Sequence, residues 1–172
     1  LQGDDEAASL GRQFNAMLDR IATERQAQID SEARFRTLVD TSPMAMLVTT
    51  LPPESRVLLM NRQFTELFGY MLTDIEDVAA WWLRAYPDPA YRQEVQSEWA
   101  AAVDASFAAG SNHSLPVAAH IACKDGTTRF VEVRMALEGD RSLVVFTDLT
   151  ERRAYELELQ QHRHHLEALV KE

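Results

Sequence analysis

Three of the five histidines in the sequence lie close together near its C-terminal end, at His162, His164 and His165. On a helix, His162 and His165 would share one face, a spacing at which two imidazoles can hold a metal ion. Neither a cysteine nor a second such pair lies nearby. A mixed polar helix face explains these histidines better, so we predict no metal site.

Motifs that carry catalysis are absent from the sequence. It contains no phosphate-binding loop, no Gly-x-Gly-x-x-Gly, no Gly-x-Ser-x-Gly and no His-Glu-x-x-His. The single cysteine, Cys123, excludes an intramolecular disulfide and any site built from several thiolates. We therefore predict no catalytic residues and a chain that is not itself an enzyme.

The net charge of −10 argues against nucleic acid as a partner, because proteins that bind phosphate backbones present Lys and Arg. An acidic membrane surface is disfavoured for the same reason. Half of the net charge falls on residues 71–110, which hold seven acidic and two basic side chains and are interpreted as a solvated helical face. No apolar run approaches the roughly 18 residues of a membrane-spanning helix, so we expect no direct membrane contact.

Two segments with a heptad pattern bracket the middle of the chain. Each predicts a helix that forms a coiled coil, and a parallel homodimer is the simplest partner, with packing against the chain's own domain as the alternative. The polar middle of the first seam predicts a shift of register or a frayed turn near Ser31. The first seam comprises Leu10, Phe14, Met17, Ile21, Glu24, Gln28, Ser31, Phe35 and Leu38, and the second comprises Tyr155, Leu159, His162, Leu166 and Leu169.

Between these segments the pattern changes to short strands and helices. Met44–Thr50 and Arg56–Met60 read as strands, and Asn61 reads as the N-cap of a helix that Gly69 ends. Residues 71–110 are predicted to be mostly helical, with breaks at Pro87 and Pro89 and a stop at Gly110.

A hairpin of two long strands follows, because apolar residues occupy odd positions both before and after Asp125-Gly126. A two-residue loop would place the two apolar sets on opposite faces. We therefore predict a three-residue loop, Lys124-Asp125-Gly126, with a type I turn, a bulge and Gly126 in the left-handed region. Ser142–Asp148 forms a fifth strand. The inward sets are Leu115, Val117, Ala119, Ile121 and Cys123, then Val131, Val133, Met135 and Leu137.

Four short motifs in this order resemble the PAS family of sensory modules: Asn61-Arg62-Gln63-Phe64, Phe68-Gly69-Tyr70, Lys124-Asp125-Gly126-Thr127 and Asp148-Leu149-Thr150-Glu151-Arg152-Arg153. The resemblance covers residues 32–153. It implies an α+β fold with a five-stranded antiparallel sheet, helices on one face and a small pocket between them. In this chain coiled-coil-forming helices would flank that fold.

The flanking segments also carry resemblances. Residues 1–31, with Gly3-Asp4-Asp5-Glu6-Ala7-Ala8-Ser9-Leu10, look like the end of a HAMP linker of bacterial receptors. Residues 154–172 resemble the signalling helix that leads into histidine kinase or diguanylate cyclase domains. His165 lacks the acidic neighbour and following proline of a kinase phosphoacceptor. Because the sequence begins without Met, we expect a fragment from the cytoplasmic portion of an inner-membrane receptor.

The resemblance also sets expectations for cofactors. The flavin-photoreceptor branch has a reactive cysteine in an Asn-Cys-Arg context, which Cys123 lacks, and the haem branch has a histidine in the long helix, whereas residues 89–110 contain none. We predict neither a covalent flavin nor haem, and leave a small-molecule ligand open. A solid core is favoured over a pocket. The candidate pocket residues are Phe64, Phe68, Trp82, Trp99, Val133 and Val145.

Asp148-Leu149-Thr150 resembles the Asp-x-Thr motif that joins the last PAS strand to the output helix. Asp148 and Thr150 carry oxygens that can accept from the first amides of that helix and so fix its exit angle; the plainer role is a well-capped helix start. We expect a sensory or relay module of a two-component system that passes a signal through this joint to a C-terminal histidine kinase. The alternatives are a diguanylate cyclase as output and a ligand-free dimerisation spacer.

Overall fold

A computed structural model describes residues 3–169 of the backbone and residues 14–163 of the side chains. Five helices and five strands make up this part of the chain. Within it, no helix combines the length and apolar character needed to cross a bilayer. The elements are α1 (Gly3–Asp40), β1 (Ala45–Thr50), β2 (Val57–Met60), α2 (Arg62–Phe68), α3 (Val78–Ala85), α4 (Pro89–Ala108), β3 (Val117–Ala122), β4 (Thr128–Glu138), β5 (Arg141–Asp148) and α5 (Thr150–Leu169).

The five strands form one antiparallel sheet in the order β2-β1-β5-β4-β3. The helices α2, α3 and α4 lie between β2 and β3 in the sequence. This is the predicted order of two strands, several helices and three strands. The α+β fold class is confirmed, and the predicted bounds of β1, β2 and β5 agree with the structure to within one residue.

The β3–β4 hairpin has the predicted odd-length loop. Val117 pairs with Val133 and Ala119 with Val131, so both inward sets lie on one face. The Cys123 amide donates to the Thr127 carbonyl at 2.8 Å, and Gly126 between them has φ +85°. Leu115 was wrongly counted among the inward residues, because β3 begins only at Val117 and the Leu115 side chain is 53% exposed.

The cover helices begin and end at capping residues. Asn61 Oδ1 accepts from the Phe64 amide at 3.0 Å at the start of α2, and Gly69 follows its last turn with φ +78°, both as predicted. The segment 71–110 is mostly helical, as predicted, because α3 and α4 together cover 28 of its 40 residues and α4 ends just before Gly110. Pro89 does not break a helix but starts α4, because a proline at the first helical position loses no hydrogen bond.

The core that these elements enclose is centred on four aromatic rings. Phe64, Phe68, Trp81 and Phe146 are all buried, with ring centroids 4.9 to 5.5 Å apart. Most of these pairs meet edge to face, the arrangement that aromatic quadrupoles favour. Trp82 follows Trp81 on α3 but lies at the edge of this core, because adjacent helical residues diverge by about 100°.

The two flanking helices expose apolar residues. α1 is continuous through Ser31, so of the two alternatives the frayed turn is wrong and the shift of register stays a prediction. His162 on α5 is exposed, and its Nδ1 lies 3.0 Å from the Glu158 carbonyl. The side chains of Leu10, His164, His165, Leu166 and Leu169 lie outside the described residues, and within these no cluster of metal ligands is found. The exposed apolar positions include Phe14, Met17, Leu18, Ile21, Ile29, Leu38, Tyr155 and Leu159.

Candidate functional site

A cavity of about 580 Å³ lies between the sheet and helices α3 and α4. Aliphatic residues of four strands form its floor, and aromatic residues of the two helices and of the segment between them form most of its cover. Its size falls in the range of small-molecule sites. The wall includes Leu47 (β1), Val117 (β3), Val133 (β4), Val144 and Phe146 (β5), Trp81 and Trp82 (α3), Tyr86, and Val95, Trp99, Val103, Asp104 and Phe107 (α4).

Three of the six residues proposed from the sequence, Trp82, Trp99 and Val133, line this cavity. Phe64 and Phe68 do not: both are fully buried in the aromatic core beside it. Val145 is also misplaced, because side chains alternate along a strand and the neighbouring Val144 and Phe146 face the cavity instead.

The polar groups of the wall are few. Thr49 and Ser142 are buried and share a hydrogen bond of 2.7 Å between their hydroxyls. The Tyr86 side chain is 3% exposed, and its burial raises the pKa of its hydroxyl, which stays protonated at neutral pH. Asp104 is exposed, and among the residues that the structure describes around this cavity it is the one with a charged side chain.

The joint between β5 and α5 is held by hydrogen bonds to the neighbouring strand β4. Asp148 Oδ1 accepts from the Thr150 amide at 2.9 Å and from the Thr150 hydroxyl. Thr150 Oγ1 accepts from the Phe130 amide at 3.0 Å, and the Leu149 amide donates to the Phe130 carbonyl at 2.8 Å. The start of α5 is therefore fixed to strand β4 at Phe130, and Asp148 also lies 3.5 Å from the guanidinium of the neighbouring Arg129.

The expectation that Thr150 caps α5 is wrong in its detail. The first carbonyl of the helical ladder is that of Leu149, which accepts from the Arg153 amide at 2.9 Å. Asp148 satisfies the free amide of Thr150, as a capping carboxylate does. Thr150 instead accepts from β4, so its hydroxyl ties the helix to the sheet.

Phe130 is the part of this joint that the sequence did not reveal. Its backbone makes the contacts, so its residue type carries no signal; only the pairing of Val131 with Asp148 places it there. Its ring lies on the outer face, 4.8 Å from the ring of His120 and 5.5 Å from the Arg153 guanidinium. His120 is exposed.

The cavity and the joint share strand β5. Phe146 is part of the cavity wall and also lines a smaller cavity of about 300 Å³ that reaches Asp148. Only Thr147 separates Phe146 from Asp148 along the strand. A displacement of the Phe146 ring would therefore act on the strand that ends at the joint.

The β3–β4 loop is tied to the segment between α2 and α3 by an ion pair whose effect depends on pH. Asp74 Oδ2 lies 2.7 Å from Lys124 Nζ and accepts from the Met71 amide at 2.8 Å. The hydrogen bond from Lys124, followed by that from Met71, lowers the pKa of Asp74 below its ordinary value of 3.8. The stability that the ionised carboxylate contributes is complete above that value and is lost as the pH falls below it.

We expect Asp74→Asn to lower the urea midpoint of unfolding at pH 7, and the difference from the wild type to shrink as the pH falls through 3.8. Asp140→Asn is the control, since Asp140 lies 3.8 Å from Arg141 with a side chain 94% exposed. Exposed ion pairs of this kind contribute little to the free energy of unfolding. A deficit for Asp74→Asn that is the same at pH 7 and at pH 3 would refute the prediction.

Comparison with known proteins agrees with this architecture. The family model of the PAS domain matches residues 33–103. No curated protein matches the sequence. Many solved structures are similar. One is the LOV protein of Rhodobacter sphaeroides, with a TM-score of 0.54 and 16% identity over 70% of this chain and 67% of that one.

Two further similar structures are a PAS domain from Colwellia psychrerythraea and a sensory box histidine kinase/response regulator from Burkholderia thailandensis. The first has a TM-score of 0.55 and 18% identity over 69% of this chain and 97% of that one. The second has a TM-score of 0.53 and 18% identity over 78% and 98%. At these identities the likeness concerns the fold. The chain therefore has the PAS fold, and its residues 33–103 match the PAS domain family.

Proposed function

We propose that this chain is a sensory and signal-relay PAS module of a bacterial, membrane-tethered signalling protein. It receives a signal at the cavity or through α1, and passes a conformational change through the joint at Asp148-Leu149-Thr150 to a C-terminal histidine kinase. The chain itself performs no catalysis and carries neither haem nor covalent flavin. Its role is to change the relative population of two states of the output helix.

The observation that carries this proposal is the attachment of α5 to the sheet. Both backbone groups of Phe130 bond to residues at the start of α5, and β5, which lines the cavity, runs directly into the same joint. A change in the spacing or twist of β4 and β5 must therefore either move the first turn of α5 or break these bonds. A cap made only within the helix would not have this property.

Two observations support the sensory role and the kinase output. The cavity offers a site for an effector, which a spacer with a solid core would not need. The similar structure from Burkholderia thailandensis is described as a sensory box histidine kinase/response regulator, which favours a kinase over a cyclase as the domain that follows α5.

The exposed apolar positions of the two flanking helices support a parallel homodimer as the working form. Phe14, Met17 and Ile21 on α1 are 49 to 60% exposed, and Tyr155 and Leu159 on α5 are 63 and 70% exposed. Apolar residues at heptad spacing on a charged helix gain stability by pairing with the same positions of a second copy. A dimer would bring the two output helices together.

The test replaces the joint in the full-length protein. We expect Asp148→Ala combined with Thr150→Val to abolish the response of kinase autophosphorylation to the signal, because Phe130 loses its side-chain acceptor and the Thr150 amide loses Asp148. The rate of autophosphorylation should then be the same with and without the stimulus. Far-UV circular dichroism of the same protein checks that the sheet persists.

The matched control is Asp140→Ala, which removes an exposed carboxylate just before β5, in the turn at its opposite end. Its response to the signal should equal that of the wild type. A joint variant that keeps the sheet and still responds normally would overturn the relay role.

A further inference from the structure

The charge of the cavity wall restricts what can bind there. Among the residues that the structure describes as lining it, none is Lys, Arg or His, and the carboxylate of Asp104 stands at the exposed rim. Residues 71–110, which supply much of the wall, carry half of the net charge of −10. An anion inside would lose its hydration without gaining a cationic partner, which costs several kcal/mol or more.

Some hydrogen-bond donors of the wall have no acceptor in the described part of the chain. Tyr86 and Trp81 are 3% and 6% exposed, and neither the Tyr86 hydroxyl nor the Trp81 indole N–H donates to any group in the described part of the chain. Among the described residues, Arg129 Nε is the one side-chain polar atom that is fully enclosed and has no partner. The Tyr86 and Trp81 donors are therefore not fully enclosed, and both residues line the cavity.

The buried hydroxyl pair adds a third donor. In the Thr49–Ser142 hydrogen bond only one hydroxyl donates, so the hydrogen of the other is available to a ligand. Leaving a buried donor without an acceptor costs about 1–3 kcal/mol. A ligand that brings an acceptor into the cavity would recover part of that free energy.

We propose that this cavity binds an uncharged, largely apolar organic molecule that carries a hydrogen-bond acceptor, and that it selects against anions of the same shape. This names the class of effector for the sensory role and rests on that proposed function. A carbonyl or hydroxyl oxygen satisfies the wall donors, while the apolar body contacts the strand valines and the tryptophans.

An organic cation fits less well than a neutral molecule. Asp104 is exposed, so water screens its attraction for a positive group at the rim. A positive group bound deeper would meet no carboxylate, only the neutral oxygens of hydroxyl groups, which replace its hydration incompletely. The affinity of the cavity should therefore be highest for a neutral ligand, lower for a cation and lowest for an anion.

The test uses three probes with one apolar chain and different head groups: 1-decanol, decylammonium and decanoate. The three tryptophans of the sequence all line the cavity, and the probes do not fluoresce, so intrinsic fluorescence of the 172-residue chain at pH 7 reports binding. We expect saturable binding of 1-decanol, and binding of decanoate at least tenfold weaker. Decylammonium should lie between them.

Adjacent valines on β5 provide a matched pair of variants. Val144→Phe fills the cavity and should weaken 1-decanol binding at least tenfold, whereas Val145→Phe changes the opposite face and should leave it unchanged. Asp104→Lys should strengthen decanoate binding by at most about fivefold, because the exposed charge is screened, and leave 1-decanol unaffected. This last variant stands at an exposed position and tests charge without disturbing the core.

Three results would overturn the inference: no probe binds, decanoate binds as tightly as 1-decanol, or Val145→Phe weakens binding as much as Val144→Phe. None of them bears on the joint, because the kinase test of Asp148 and Thr150 uses the natural stimulus and no added probe. Conversely, failure of the joint test would leave the binding selectivity of the cavity intact.

Discussion

Replacing Asn61 by alanine should lower the free energy of unfolding by about 3 kcal/mol, since it leaves several buried backbone groups unpaired. Asn61 is fully buried, and its Oδ1 accepts from the Met46 amide at 2.8 Å and from the Phe64 amide at 3.0 Å. Its Nδ2 donates to the Met44 carbonyl at 2.8 Å. One side chain thus fixes both the start of β1 and the start of α2.

Urea unfolding followed by circular dichroism measures this loss, with Glu66→Ala as the control. Glu66 is on the same short helix, but it is exposed and pairs with Arg62 at 2.6 Å on the surface. Its replacement should change stability by no more than about 1 kcal/mol. If Asn61→Ala and Glu66→Ala had equal midpoints, the bonds to Met44 and Met46 would contribute nothing.

Asn61 also marks how far the sequence predicts this fold. Its capping role was readable because a cap acts on a residue three positions away, and the spacing of Phe64, Leu67 and Phe68 marks the helix it starts. Its bonds to Met44 and Met46 span 17 and 15 residues. Such a contact depends on how β1 and β2 pair, which no local pattern encodes.

The wall of the cavity shows the same limit. On β3 and β4 the alternation of apolar and polar residues shows which side chains lie on the inner face of the sheet. The prediction that Val133 lines the cavity is confirmed. Strand β5 contains Leu143-Val144-Val145-Phe146, a run that is apolar on both faces. With a period of two and no polar residue to set the phase, Val145 and Val144 are equivalent candidates, and the sequence favoured the wrong one.

The joint was recognised from its residues, but its mechanism was not. Asp148 and Thr150 were expected to act on the helix that follows them, since side chains of this kind cap nearby amides. The structure pairs Thr150 with Phe130, which is 20 residues earlier. This pairing makes the joint a link between sheet and helix, and the antiparallel register of β4 and β5 is its physical origin.

Phe146→Ala should have the largest effect on stability of any single replacement around the cavity, about 3–5 kcal/mol. The Phe146 ring is 2% exposed, and its centroid lies 5.3 Å from Phe64, 5.4 Å from Phe68 and 5.5 Å from Trp81. Its removal takes one of the four rings out of the aromatic core and should join the two cavities, since Phe146 lines both of them.

Phe107→Ala is the matched control, because Phe107 lines the same cavity but is only half-buried and is not part of the aromatic core. Phe107→Ala should lower the free energy of unfolding by less than half as much as Phe146→Ala. If Phe146→Ala does not fold, Phe146→Leu keeps much of the volume and should still unfold at a lower urea concentration than Phe107→Ala. Equal midpoints for the Phe146→Ala and Phe107→Ala variants would mean that the aromatic core does not depend on Phe146. Strand β5 would then have no packed ring through which occupancy of the cavity could reach Asp148.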